Sequence, residues 1–144
     1  MLTVGRFGTH DLARATAFYD AIAALLGAKR VLERPEAVAY KGADGGMFLI
    51  GLPFVGEASV GNGIQMGFAA PSRATVDAVH AKALGLGGTC EGPPGVRGPE
   101  GAGAFYAAYF RDPDGNKLMV MRLGPAEYVP RIPRAGPGGT GTKS

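Results

Sequence analysis

The sequence predicts an α+β fold in which two βαβββ modules pair to form a curved mixed β-sheet around a cleft. Three observations point there. Short strand-like segments are interrupted by two helix-length periodic stretches. The order strand, helix, strands occurs twice. Arg14-Ala15-Thr16 and Arg73-Ala74-Thr75 read as occupying the same place at the start of each helix. A repeat of this length reads as a duplicated supersecondary unit. One small sheet with one helix buries its apolar face poorly, so the two units should pair.

In chain order, Leu2 to Phe7 reads as a strand and Gly8-Thr9-His10 as the turn out of it. Asp11 is a good N-cap for a helix running to Leu26. Leu12, Ala15, Tyr19, Ile22 and Leu26 share one face at helical spacing, flanked by Phe18 and Leu25. Gly27 suits the position that ends the helix. Lys29 to Glu33, Ala37 to Tyr40 and Met47 to Leu52 are strand-like, and Ala43-Asp44-Gly45-Gly46 is a turn between the last two.

After a linker from Pro53 to Asn62 the pattern restarts. Ile64 to Ala70 is a strand, Ser72 caps a helix carrying Val76, Val79 and Ala83 on one face, and Gly85, Gly87 and Gly88 stop it. Glu91 to Gly103 is rich in Gly and Pro and is expected to be a long mobile loop. Phe105 to Phe110 and Lys117 to Arg122 are strands joined by Asp112-Pro113-Asp114-Gly115. There Asp112 starts a type I turn, Pro113 presets φ, and Gly115 supplies a positive φ. These boundaries give one domain over 1–123, with module one at about 1–53 and module two at about 63–123, and a Pro/Gly-rich tail over 124–144. The tail is expected to be flexible. The alternative is an arm in which Tyr128, Val129 and Ile132 dock on a partner subunit.

With 46% hydrophobic residues, the 144-residue chain has material for a substantial core, and no apolar run reaches the length of a membrane span. No signal peptide is evident, because Arg6, His10 and Asp11 interrupt the first segment. The single Cys90 rules out an internal disulfide framework and a cysteine zinc cluster. A cytoplasmic location is expected. The net charge of +3 is concentrated in the tail, where Arg131, Arg134 and Lys143 stand against Glu127, so nucleic acid is not an expected partner.

The run Arg111-Asp112-Pro113-Asp114-Gly115-Asn116-Lys117-Leu118 resembles the closing signature of the vicinal-oxygen-chelate superfamily. That group includes glyoxalase I, extradiol dioxygenases, fosfomycin-resistance enzymes and bleomycin-binding proteins. The likeness extends to Gly8-Thr9-His10-Asp11-Leu12-Ala13-Arg14-Ala15, Phe18-Tyr19-Asp20 and Phe68-Ala69-Ala70-Pro71-Ser72-Arg73-Ala74, nearly the whole chain to about Arg122. Gly92-Pro93-Pro94-Gly95-Val96-Arg97 is similar to a loop of one glyoxalase-like subgroup. The resemblance implies a homodimer and, in metal-dependent relatives, four His or Glu ligands on inward strand positions. Those positions fall here on Val4, about Ile50, Gln65 and Met119. Alkyl chains, a neutral amide and a thioether are a poor set for a divalent metal, so no cofactor is expected. His10, beside a helix start, and His80, at the edge of a helix face, do not rebuild the site.

If Val4, Ile50, Gln65 and Met119 point inward, period-two alternation brings Leu2 and Arg6 to Val4's face, Phe48 to Ile50's, and Lys117 and Met121 to Met119's. Tyr109 matches a substrate-contacting tyrosine of extradiol dioxygenases, which also turns Phe105 and Ala107 inward. Arg97 would close over the opening. The expected ligand-binding set is therefore Arg6, Phe48, Gln65, Arg97, Phe105, Tyr109, Lys117, Met119 and Met121. The cleft is apolar with a few cations, suited to an organic molecule bearing an anionic or carbonyl group. The function this implies is metal-independent binding of a small molecule. The alternative is a related lyase, isomerase or oxygenase, using Tyr109 as acid or base with Arg6 or Lys117 on an oxyanion, or a metal at non-standard ligands.

Overall fold

The computed structural model describes residues 1–127. Strand β1 (Val4–Gly8) leads into helix α1 (Leu12–Leu26), followed by β2 (Lys29–Glu33), β3 (Ala37–Lys41) and β4 (Met47–Gly51). The second module runs β5 (Met66–Ala69), α2 (Arg73–Gly85), β6 (Thr89–Arg97), β7 (Phe105–Arg111) and β8 (Lys117–Leu123). The strands form two four-stranded sheets, ordered β1-β4-β3-β2 and β5-β8-β7-β6. In each, the first strand pairs in parallel with the last of its module and the other pairs are antiparallel. This is the tandem βαβββ architecture the sequence predicts.

Both helices begin as their capping residues dictate. The Asp11 carboxylate accepts from the Arg14 amide at 3.0 Å, and the Ser72 hydroxyl accepts from the Thr75 amide at 3.0 Å. Gly27 ends α1 at a φ of 69°, where an L side chain would be strained. Since Asp11 and Ser72 are equivalent caps, Arg14 lies inside the first turn of α1 whereas Arg73 opens α2. The Arg-Ala-Thr echo is thus out of structural register. The duplication holds between elements rather than between those triplets.

The stretch from Glu91 to Gly103 corrects an expectation. It is strand as far as Arg97, paired with β7 through irregularities between Cys90 and Gly92 and between Gly92 and Gly95. Pro93 and Pro94 cannot donate to a ladder, but β6 is the edge of its sheet and tolerates them.

Each helix covers one face of its own sheet. Phe18, Tyr19 and Ile22 of α1 and Val76, Val79 and Ala83 of α2 join Phe48, Ile50, Phe110, Leu118 and Val120 in one core. That core crosses the module boundary: Phe18 meets Phe110 with ring centroids 6.2 Å apart, and Phe48 meets Phe68 edge-on at 5.2 Å. Among the described residues, no helix covers the opposite sheet faces.

The Asp112–Asn116 turn does more than reverse the chain. Gly115 has φ 93° and its amide donates to the Asp112 carbonyl at 2.9 Å, as a tight turn requires. The turn then docks on the β1–α1 corner of the other module. Tyr19 donates to Asp112 Oδ2 at 2.6 Å, and Asn116 Nδ2 donates to that oxygen and to the Gly8 carbonyl, each at 2.9 Å. Asp114 accepts from the Thr9 hydroxyl at 2.6 Å, the His10 amide at 3.1 Å and the Arg14 guanidinium at 2.8 Å. Burial raises the Asp112 carboxyl above its ordinary range, against the pull of these hydrogen bonds, and burial beside Asp112 raises the Tyr19 phenol.

At the other end of module two, Gly124 donates to Ala104 at 2.8 Å and Glu127 accepts from the Arg73 amide at 2.7 Å. The first residues after β8 are therefore tied to the N-terminus of α2, where a carboxylate is favoured. Tyr128, Val129 and Ile132 lie outside the described residues.

Candidate functional site

The open sheet faces follow from the registers. In sheet one, Val4 pairs with Met47 and Arg6 with Leu49, so these four share the uncovered face. In sheet two, Tyr109 pairs with Met119, Ala107 with Met121, Phe105 with Leu123 and Arg97 with Phe105. Seven of the expected residues, Arg6, Arg97, Phe105, Tyr109, Lys117, Met119 and Met121, thus stand on uncovered faces, six of them on sheet two.

Phe48 and Ile50 do not. They sit on the opposite side of β4, buried beneath α1, with Phe48 7% exposed and Ile50 fully enclosed. The neighbour that shares Val4's face is Leu49. The correction shifts the inward assignment by one residue, which in a strand exchanges faces. It leaves the donor chemistry unchanged, because leucine offers no lone pair either.

Tyr109 is the centre of the open face of sheet two. The Arg97 guanidinium carbon lies 5.5 Å from its ring centroid and Lys117 Nζ lies 5.7 Å from it. Arg97 is not a free lid. Its Nη1 donates to Gly95 and Ala107 carbonyls at 2.7 and 3.0 Å, and Nη2 donates to the Pro93 carbonyl at 2.7 Å. The side chain thereby organises the irregular part of β6 while its charge remains next to the ring. Among the described residues, neither Arg97 nor Lys117 has a salt-bridge partner. Arg6, in contrast, belongs to sheet one. It donates to the Leu52 carbonyl at 2.7 Å and stacks 5.2 Å from the centroid of Phe54.

The remaining expected residue, Gln65, borders a cavity of about 550 Å³ at the seam between the modules. This cavity runs from beneath the C-terminal half of α1, past Phe48 and Phe68, to Val4 and Gln65 at the edges of the two sheets. Sequence reasoning named Leu2, Val4, Phe48 and Gln65 for a cleft but did not foresee a cavity at this seam. It lies between β1 and β5, which belong to separate sheets, and periodicity within one strand carries no information about a gap between two.

His10 is exposed and contributes its amide, not its ring, to Asp114. His80 is buried at the edge of the core, with Nε2 3.3 Å from Cys90 Sγ, and burial holds its imidazole below the ordinary histidine range. Among the described residues no group of three His, Cys, Asp or Glu side chains is placed to hold a metal ion. The inherited ligand positions, Val4, Leu49 or Ile50, Gln65 and Met119, do not fit a divalent cation.

The profile of the Glyoxalase/Bleomycin resistance protein/Dioxygenase superfamily matches residues 4–120. The chain belongs to this superfamily. Among solved structures of the superfamily, a glyoxalase/bleomycin resistance protein from Albidiferax ferrireducens T118 is 38% identical. That match covers 85% of this chain and 98% of that one, with a TM-score of 0.76. A lactoylglutathione lyase from Agrobacterium tumefaciens is 25% identical over 85% of this chain and 92% of its own, with a TM-score of 0.57. A glyoxalase-related enzyme from Fulvimarina pelagi, 18% identical over 90% of this chain and 99% of its own, shares the fold at a TM-score of 0.63. No curated protein matches significantly. Among the described residues, no helix of this superfamily member is long and apolar enough to cross a membrane.

Proposed function

We propose that the protein binds a small organic anion, aromatic or carbonyl-bearing, on the open face of sheet two without the superfamily metal. The observation that carries this reading is the Tyr109 ring bracketed by Arg97 and Lys117, two cations with no salt-bridge partner among the described residues. An aromatic ligand stacks on the phenol or packs on Met119 and Met121, and its carboxylate or carbonyl takes the charge of Lys117. Phe105 extends the apolar floor. The positions that hold metal in relatives supply no suitable donors, so anchoring falls to cations and apolar surface.

Binding is favoured over catalysis on the same geometry. Among the described residues no side chain hydrogen-bonds the Tyr109 hydroxyl, so no partner prepares it as a general acid or base. Arg6 is on the other sheet and engaged by the Leu52 carbonyl. A lyase, isomerase or oxygenase built on Tyr109 with Arg6 or Lys117 therefore lacks an assembled constellation.

The reading includes a homodimer. The open faces carry half-exposed apolar side chains, and Phe54 and Val55 in the linker between modules are 89% and 90% exposed, surface that a second copy would cover. The test is titration of isotope-labelled protein with benzoate and phenylglyoxylate, using benzyl alcohol as the uncharged control. Saturable shifts at Tyr109, Met119 and Met121 are expected, with affinity for the anions about tenfold lower in Lys117→Met. Anions that bind no better than benzyl alcohol, or that ignore Lys117→Met, would refute it.

A further inference from the structure

The two modules meet at two corners related by the internal duplication, and the corners differ. Strand registers and caps align Gly5 with Met66, Thr9 with Ala70, His10 with Pro71 and Asp11 with Ser72. The turns align through Asp44-Gly45 and Asp114-Gly115, both glycines having positive φ, at 91° and 93°. At the first corner Asp112, Asp114 and Asn116 are filled in by Tyr19, Thr9, the His10 amide and Arg14. At the second, Gly42 and Gly46 stand where Asp112 and Asn116 would be. Ala70 has no hydroxyl, Pro71 has no N–H, and Thr75 stands where Arg14 would supply a guanidinium. Only the carboxylate, Asp44, is retained.

The space left by these missing side chains is part of the seam cavity. Asp44 and Gly46 line it from one turn and Ala70 and Pro71 from the other. Phe48 and Phe68 supply an aromatic wall, and among the described residues Asp44 is the one charged residue lining it. Its Oδ1 accepts from the Gly46 amide at 3.0 Å, and among the described residues it has no salt-bridge partner. The same chain shows what such a carboxylate takes when its corner is complete: Asp114 binds a guanidinium at 2.8 Å and a hydroxyl at 2.6 Å.

We propose that the seam cavity is a second small-molecule site, taking an organic cation with an aromatic or aliphatic body. An amidinium, guanidinium or ammonium head sits on Asp44 in the place that Arg14 fills at the other corner. The body lies against Phe48, Phe68 and the C-terminal half of α1, where apolar burial and cation–π attraction act together. The site selects charge opposite to that taken over Tyr109, so the two are distinguishable by ligand as well as by location.

The test is titration of the full-length labelled protein with benzamidinium chloride, its neutral isostere benzamide, and benzoate. Benzamidinium should bind saturably, with amide shifts clustered in residues 42–48 and 65–71, and at least about tenfold more tightly than benzamide or benzoate. Asp44→Asn keeps the acceptor for the Gly46 amide and should retain the spectrum elsewhere while weakening benzamidinium about tenfold. No saturable shift, shifts confined to the Tyr109 face, or unchanged affinity in Asp44→Asn would overturn the proposal. Concentration-dependent shifts at 42–48 and 65–71 without ligand, or protection of those amides by residues 128–144, would also overturn it, by showing protein rather than a small molecule in the cavity.

Discussion

Tyr19 donates its phenolic proton to Asp112, a residue 93 positions later in the chain, at 2.6 Å. The bond joins the middle of α1 to a turn of the other module, and the Thr9, His10 and Arg14 contacts to Asp114 reinforce the same corner. Tyr19→Phe removes one donor from a buried carboxylate that keeps Asn116, and should cost about 1–3 kcal/mol. Asp114→Ala leaves the Thr9 hydroxyl and the His10 amide without this acceptor and should cost a similar or larger amount, on the order of 2–3 kcal/mol. Urea denaturation measures both. Wild-type stability in either variant would show that the apolar contacts of Phe18 with Phe110 and Phe48 with Phe68 hold the modules without the corner.

Gly85 and Gly88 should respond to alanine with opposite signs. A Cβ on Gly85 meets open space at the last residue of α2, so Gly85→Ala should stabilise by about 0.5–1 kcal/mol through helix propensity and reduced chain entropy. A Cβ on Gly88 would lie 2.7 Å from the Ala83 carbonyl and 2.7 Å from the Arg111 carbonyl. Both are backbone atoms, and the strand after the glycine would have to move. Gly88→Ala should destabilise by roughly 1–3 kcal/mol. Thermal melts of the pair, at one pH and one protein concentration, decide the point.

The turns, caps and strands were legible because their chemistry is local. Asp11, Ser72, Gly27 and the Asp112-to-Gly115 turn act on neighbours within a few residues, and the sequence shows them directly. The faces of β4 were not legible. Met47-Phe48-Leu49-Ile50 is apolar on both sides, so alternation cannot tell which residues lie under α1. β6 was hidden by Pro93 and Pro94, which read as loop unless the edge position of the strand is known. The corner at Asp112 and Asp114 and the seam cavity depend on how two modules meet. Their one sequence signal is a comparison: Asp112 and Asn116 in one turn against Gly42 and Gly46 in its counterpart.

Metal removal provides an independent check on the site chemistry. With Val4, Leu49, Gln65 and Met119 at or beside the inherited positions, exhaustive dialysis against EDTA should leave the melting temperature and benzoate binding unchanged. Elemental analysis after incubation with Zn²⁺, Ni²⁺, Mn²⁺ or Fe²⁺ should then give well under one metal per chain. A stoichiometric metal that raises the melting temperature would mean that other residues ligate it, and would return a metal-dependent reaction to consideration.

The pH dependence of stability should carry the mark of His80. Burial lowers the pKa of its imidazole from the ordinary 6.5, Asp77 pulls weakly the other way, and the ring contacts Cys90. The unfolded chain therefore binds this proton more readily than the folded one. Stability is greatest above the unfolded pKa and declines as pH falls through 6.5 toward the depressed folded value. The second histidine, His10, is solvent-exposed and bonds through its backbone. Melting temperatures between about pH 5.5 and 7.5 should thus fall on acidification in the wild type and change less in His80→Gln. Because Asp77 also accepts at 2.6 Å from the hydroxyl of Tyr106 on β7, Tyr106→Phe serves as a control that alters Asp77 without touching His80. It should lower the melting temperature while leaving most of the pH slope in place. A slope that survives His80→Gln intact would place the titrating group elsewhere.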